Sequence, residues 1–221
     1  KMTDGGKTVS KTGYFTHRDC WKHEMGPGHP ECPERLDAIE DRLLITGLGD
    51  ALERYEAPEA ALADIELAHG RLHIASMRGL TDWLREEVEA GGPSHTQVDP
   101  DTSINVHTWK AALRSAGAGV MAVDLIMAGE VQNAFCAIRP PGHHAERETA
   151  MGFCFFNHAA VAARHAQAHH GAGHVAIVDW DVHHGNGTQE IFWGDASVLY
   201  ASTHEMPLYP GTGAPSERGE H

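Results

Sequence analysis

Two stretches of this sequence set adjacent histidines behind turn-forming residues. The first is Arg139-Pro140-Pro141-Gly142-His143-His144-Ala145-Glu146. A stiff Pro-Pro-Gly turn would hold both imidazoles in a fixed place and direction. An imidazole so held can take a proton from water near neutral pH and return it to a leaving amine. The second stretch is Asp179-Trp180-Asp181-Val182-His183-His184-Gly185-Asn186-Gly187. Carboxylate and imidazole are both good zinc ligands, and the Asp-x-His of Asp181 and His183 can bring the pair to one metal. Asp179, two residues earlier, could accept the N–H of a catalytic histidine and hold its ring and tautomer. A third stretch, Ser202-Thr203-His204 running on to Tyr209-Pro210-Gly211-Thr212-Gly213, reads on its own as a surface loop.

Each stretch follows a short apolar run that reads as a strand: Ala134 to Ile138, Val175 to Val178, and Val198 to Ser202. Gly13 to Thr16 reads as a first strand. Leu36, Ile39, Leu43 and Leu44 have helical spacing within Glu34 to Leu48, with Pro33 before it and Gly47 and Gly49 at its end. Ile74 to Val88 is expected to be helical up to the Gly91-Gly92-Pro93 break. A long apolar stripe from Trp109 to Met127 predicts another helix, and the Ala-rich Asn157 to Ala168 a further one. Buried strands alternating with helices argue for an α/β fold, with a mostly parallel sheet covered on both faces in three αβα layers. In such sheets ligands bind where loops leave the carboxyl ends of the strands, which is where the three polar stretches fall.

The chain has 221 residues, enough for one sizeable domain. Its formal net charge of −14 repels phosphate backbones, so direct nucleic-acid binding is not expected. That charge suits cationic molecules such as polyamines or Lys-rich peptides. The cysteines Cys20, Cys32, Cys136 and Cys154 form no C-x-x-C pair, which suits a reducing, cytoplasmic setting. No run approaches the ~18 apolar residues of a membrane span, and Lys1 to Ser10 lack the apolar core of a signal peptide. Of the 18 histidines, His165, His169, His170 and His174 cluster near a helix end. His165 and His169, four apart, could share a metal, but solvent-facing polar residues are the simpler reading.

Together these segments resemble the histone deacetylase superfamily, which includes acetylpolyamine amidohydrolases and acetoin-utilisation proteins. The segments that carry the resemblance are His29 to Leu36, Arg139 to His144, Gly152-Phe153-Cys154-Phe155-Phe156-Asn157, Asp179 to Gly187 and Tyr209 to Gly213. The resemblance implies an arginase/deacetylase-like fold and a zinc-dependent amidohydrolase that removes acetyl groups from acetylated lysine or polyamine-type amines. It implies Asp181 and His183 as zinc ligands and His144 as general base, then general acid. His143 with Asp179 would orient water, and Asn186 would partner His144, as in class II-like bacterial members. Gly152 would receive the substrate amide, Phe153 and Tyr209 would wall a narrow tunnel, and Asp101 would sit at its rim. Arg35 would lie near an internal acetate exit. Asp179, Asp181, His183, Ser202 and Thr203 would hold a monovalent cation, usually potassium.

Residues 1–12 read as a flexible N-terminal segment, and the resemblance implies the N-terminal portion of a single deacetylase domain over residues 13–221. The third zinc ligand (an Asp) and an oxyanion-binding Tyr have no match here and would lie in further chain. The sheet would then show an uncovered edge and apolar face. An inactive relative that binds metal or acetylated ligands is the alternative. The two-manganese arginase arrangement is disfavoured, because Gly185 stands where it wants a carboxylate. Substrate identity and homo-oligomerisation stay open.

Overall fold

The computed structural model describes residues 11–220. Most of the expected segment 1–12 lies outside the described residues, and Thr12 already belongs to the first strand. In chain order the elements are β1 (Thr12–Thr16), α1 (Asp19–Lys22), α2 (Glu34–Thr46), β2 (Leu52–Glu56), α3 (Leu62–Ile65), α4 (Arg71–Glu89), β3 (His95–Gln97) and β4 (Ser103–Asn105). There follow α5 (Thr108–Met127), β5 (Asn133–Cys136), α6 (His158–His170), β6 (Val175–Asp179), α7 (Asn186–Phe192) and β7 (Val198–Ser202).

The fold is a three-layer α/β arrangement with mostly parallel strands. Strands β2, β1 and β5 form one parallel ladder in that order, β6 and β7 a second, and β3 and β4 an antiparallel hairpin. Side chains alternate across a strand, and β1 shows what that achieves. Tyr14 packs with Leu36 of α2 on one side, whereas Phe15 packs with Ala118 and Ala122 of α5 on the other. The largest apolar cluster joins α4, α5 and α6, through Leu84, Ala112, Ala116, Ala160 and Val161 among others. Small residues let α5 approach its neighbours closely: a Cβ at Gly117 would collide with the backbone of Pro58.

Local chemistry explains the helix boundaries. Gly47 and Gly171 adopt left-handed conformations that close α2 and α6, which an L side chain would disfavour. The Asn157 side chain caps α6 by accepting the Ala160 N–H at 3.0 Å. Two expectations need correction. Leu44 is exposed rather than part of the buried face of α2, because the core takes Leu36, Ile39 and Leu43. The short strands β5, β6 and β7 are also not buried on both faces: Phe135, Val178 and Leu199 are exposed. Among the described residues β5 and β6 each lack a neighbour on one side.

Candidate active site

The carboxyl ends of β5, β6 and β7 deliver the three polar stretches to one cleft of about 790 Å³. His143, His144, Asp181, His183, Gly152, Phe153, Tyr209, Asp101 and Arg35 all line it. Asp179 also lines it, while Asn186 stands behind His144 and the Ser202–Thr203 segment behind Asp179.

Two histidine dyads lie side by side, with the His143 and His144 ring centroids 4.0 Å apart. His143 Nδ1 is 2.9 Å from Asp179 Oδ2. That carboxylate also accepts the Tyr200 hydroxyl at 3.1 Å and, through Oδ1, the Asp181 N–H at 3.2 Å. Burial pushes the Asp179 carboxyl up, but the His143 hydrogen bond and charge, the Asp181 N–H and the Tyr200 hydroxyl outweigh it. The pKa therefore lies below the ordinary value, and the group stays ionised.

His144 is buried, and its Nδ1 is 2.9 Å from Asn186 Oδ1. The Asn186 amide is oriented by its other end, where Nδ2 donates to Glu146 Oε1 at 2.8 Å. Oδ1 must therefore accept the His144 Nδ1–H, which leaves Nε2 with its lone pair free. Burial pushes the His144 pKa down to about 4, helped by the neighbouring His143 and opposed by the Asn186 hydrogen bond. At neutral pH the ring is neutral and able to accept a proton.

Asp181 and His183 sit on the loop after β6, half exposed to the cleft. His183 Nδ1 is 3.3 Å from Asp181 Oδ1, and the same oxygen accepts the His183 backbone N–H at 2.8 Å. Ligands at zinc distances of ~2.0–2.1 Å in a tetrahedron stand about 3.3 Å apart. The donor types and their separation therefore fit one zinc ion. His144 faces this pair with its ring 6.1 Å from that of His183. The Tyr209 ring meets His144 edge-on at 5.0 Å. Behind the site, Asp179 and Ser202 are register partners, and the Thr203 N–H donates to the Asp179 carbonyl.

Glycines permit this packing. A Cβ on Gly152 would lie 2.6 Å from the His144 ring, and Gly152 has φ of 56°. A Cβ on Gly185 would strike the Asp179 carboxylate. Phe153 follows with φ of 68°, a left-handed conformation that is strained for an aromatic residue. It is held by the Thr102 hydroxyl accepting its N–H at 2.9 Å and by an edge contact with His29.

Several supporting residues were not singled out from sequence. Arg139 is fully buried and forms a two-pronged ion pair with Glu31 at 2.6 Å on each prong. It also donates to the carbonyls of Cys20 and His23. This pins the residue preceding Pro140 to the His29–Arg35 segment. His69 Nδ1–H donates to the Glu146 carbonyl at 3.0 Å, while its Nε2 accepts the Asn157 N–H at 2.8 Å. That imidazole ties the loop after His144 to the start of α6. Tyr200 and Glu146 complete the two dyads. The histidines near the end of α6 lie elsewhere, and His165 is buried rather than solvent-facing.

The family model described as histone deacetylase domain matches residues 29–221. An Archaeoglobus fulgidus protein described as a probable deacetylase is 40% identical over 210 residues, covering 94% of this chain and 55% of that protein. The human polyamine deacetylase HDAC10 is 39% identical over 197 residues, covering 87% of this chain and 29% of that protein. The crystal structure of the HDA15 HD domain superposes with a TM-score of 0.84 at 38% identity, covering 97% of this chain and 59% of that one. The chain thus spans little more than half the length of its archaeal relative.

Proposed function

The chain belongs to the histone deacetylase family, and from that premise we propose that its cleft hydrolyses the amide of an N-acetylated primary amine with the help of one zinc ion. The observation that carries this reading is the pair of dyads, His143–Asp179 and His144–Asn186, set side by side and facing Asp181 and His183. Asp181 and His183 would hold the zinc, which when bound supplies carbonyl polarisation and a more acidic water. His144 Nε2, with its lone pair facing the cleft, would accept a proton from the attacking water and return it to the departing amine. His143, anchored by ionised Asp179, orients the water and steadies the charge that develops.

The remaining roles follow the cleft. The Gly152 carbonyl accepts the substrate amide N–H, Phe153 and Tyr209 flank the acyl-amine arm, and Asp101 stands at the rim. Arg35 marks the exit for acetate. Oxygens of Asp179, Asp181, His183, Ser202 and Thr203 would hold a potassium ion. A third zinc ligand and an oxyanion-stabilising hydroxyl would be supplied by further chain. The net charge of −14 favours cationic substrates, and the free cysteines suit a cytoplasmic setting.

The test is acetate release by the full-length protein from an acetyl-lysine peptide and from N-acetylspermidine, side by side, before and after zinc removal. Turnover of at least one substrate is expected, lost on zinc removal and in His144→Ala. Unchanged turnover in His144→Ala would overturn the mechanism. Ligand binding without acetate release, lost in His183→Ala but kept in His144→Ala, would favour a binding module instead.

A further inference from the structure

Away from the cleft, the last turns of α6 gather titratable groups that the proposed reaction does not use. His165 is 6% exposed and lies two helical turns beyond His158, which lines the cleft. Its ring engages a carboxylate at each nitrogen: Nδ1 is 2.8 Å from Asp64 Oδ1, and Nε2 is 2.7 Å from Asp124 Oδ1. His170 Nε2 reaches that same Asp124 oxygen, also at 2.7 Å. Two imidazole nitrogens and one carboxylate oxygen therefore converge, all within 4.8 Å of one another.

We propose that His165 Nε2, His170 Nε2 and the Asp124 carboxylate form a second metal site, for zinc or a cation of similar chemistry, that bridges α5 and α6. Two imidazoles and a carboxylate are a zinc donor set, whereas calcium and magnesium want oxygen throughout. Asp64, on α3, accepts the His165 Nδ1–H and so fixes the ring with Nε2 aimed at the ion, the usual carboxylate support of a ligating histidine. Closing the three donors on one ion requires the nitrogen–oxygen separations to open from 2.7 Å to about 3.3 Å. Asp124 is half exposed and His170 is the last residue of α6, so both have room to adjust. Their exposure also leaves a fourth position for water.

A second grouping, Asp64 with His165 and His169, shares the buried ring. His169 Nε2 stands 3.6 Å from Asp64 and its side chain is 56% exposed, so it is the less organised set. The rival occupant of the preferred set is a proton. In that case His165 is an imidazolium donating to Asp64 and Asp124, and the cluster is an ion-pair clamp with no metal.

The experiment measures zinc per chain in full-length protein after equilibrium dialysis. The variants are the unaltered sequence, His170→Ala, and the doubly altered Asp181→Ala/His183→Ala, in which the cleft donors are removed. One equivalent should be lost in His170→Ala, with acetate release unchanged. One equivalent should remain in the double variant, where zinc should raise the melting temperature unless Asp124→Asn is added. Equal zinc content in the unaltered protein and His170→Ala would overturn the site and leave the proton-held clamp. If the double variant does not fold, the His170→Ala comparison decides alone.

Discussion

Asn186 Oδ1 accepts the His144 Nδ1–H at 2.9 Å only because Glu146 takes the other end of the same amide, at 2.8 Å. The neutral amide is thus held between an imidazole and a carboxylate. Asn186→Asp would set two carboxylates against each other, and one of them would have to take up a proton. We expect that variant to lose about 1–3 kcal/mol of stability and most of its turnover. Adding Glu146→Gln should restore both, because the introduced amide can donate to the introduced carboxylate. In the double variant, the negative charge beside His144 Nδ1 would raise the His144 pKa from its value of about 4, moving the acid limb of the rate profile to higher pH. Urea midpoints and a pH–rate series on the four-protein cycle check this. Additive effects of the two changes would refute the coupling.

Asp179 has three donors: His143, Tyr200 and the Asp181 N–H. Asp179→Asn keeps the shape but removes the negative charge beside His143 and turns an amide NH2 against at least one of these donors. Turnover should fall about 10–100-fold, the usual cost of losing a supporting partner. Tyr200→Phe removes only one neutral donor and should cost less. A larger loss in Tyr200→Phe than in Asp179→Asn would show that the hydroxyl, not the carboxylate charge, matters.

The histidines and carboxylates of the two dyads and the Asp181–His183 pair were legible because such types are unusual directly after apolar strands, and because adjacent histidines need no long-range information to be noticed. Asp101, Gly152, Phe153, Tyr209 and Arg35 were reached only through the family resemblance. The supports behind these residues were not legible. Glu31 and Arg139 are 108 positions apart, and a buried Arg announces that it needs a partner without saying which. His69 looks like any helix-flanking histidine until Asn157 and the loop carbonyls are placed around it. Strand β2 was missed because Leu52-Glu53-Arg54-Tyr55-Glu56 is largely polar and exposed, its pairing with β1 coming from the tertiary context. Helix α7 was missed because Asn186 and Gly187 at its start favour turns. Apolar spacing did place α2 and α5, and an Ala-rich composition placed α6.

Gly152 has no side chain where the His144 ring passes, and a Cβ there would sit 2.6 Å from it. Its φ of 56° is also unfavourable for any L side chain. Gly152→Ala should therefore push His144 off Asn186 as well as strain the backbone. We expect a loss of about 1–3 kcal/mol in stability together with at least a ~10-fold drop in kcat from the displaced base. Gly79→Ala, at a helical position with open space around it, is the control and should not destabilise. An unchanged kcat in Gly152→Ala would mean that the ring has more freedom than the packing implies.

Acid should weaken the fold through His69 before it affects most carboxylates. Burial lowers the His69 pKa to about 3 from the ordinary 6.5, and the nearby His73 adds to the shift. Above pH 6.5 neither the folded nor the unfolded chain holds a proton there. Below it the unfolded chain takes one that the folded chain refuses, because Nε2 is occupied by the Asn157 N–H. Stability should therefore fall by up to about 1.4 kcal/mol per pH unit from this group as pH drops from 6.5 towards 3. Glu31 acts later. Burial raises its pKa, but His23 and Arg139 outweigh that and hold it at about 2, so its contribution is lost between about pH 4.5 and 2. Urea unfolding at pH 7, 6 and 5 separates the two, since Glu31 stays ionised in the folded chain throughout that range. His69→Gln should be less stable than the parent at pH 7 yet lose less stability on acidification. Parallel pH slopes for the parent and His69→Gln would rule out this imidazole as the source.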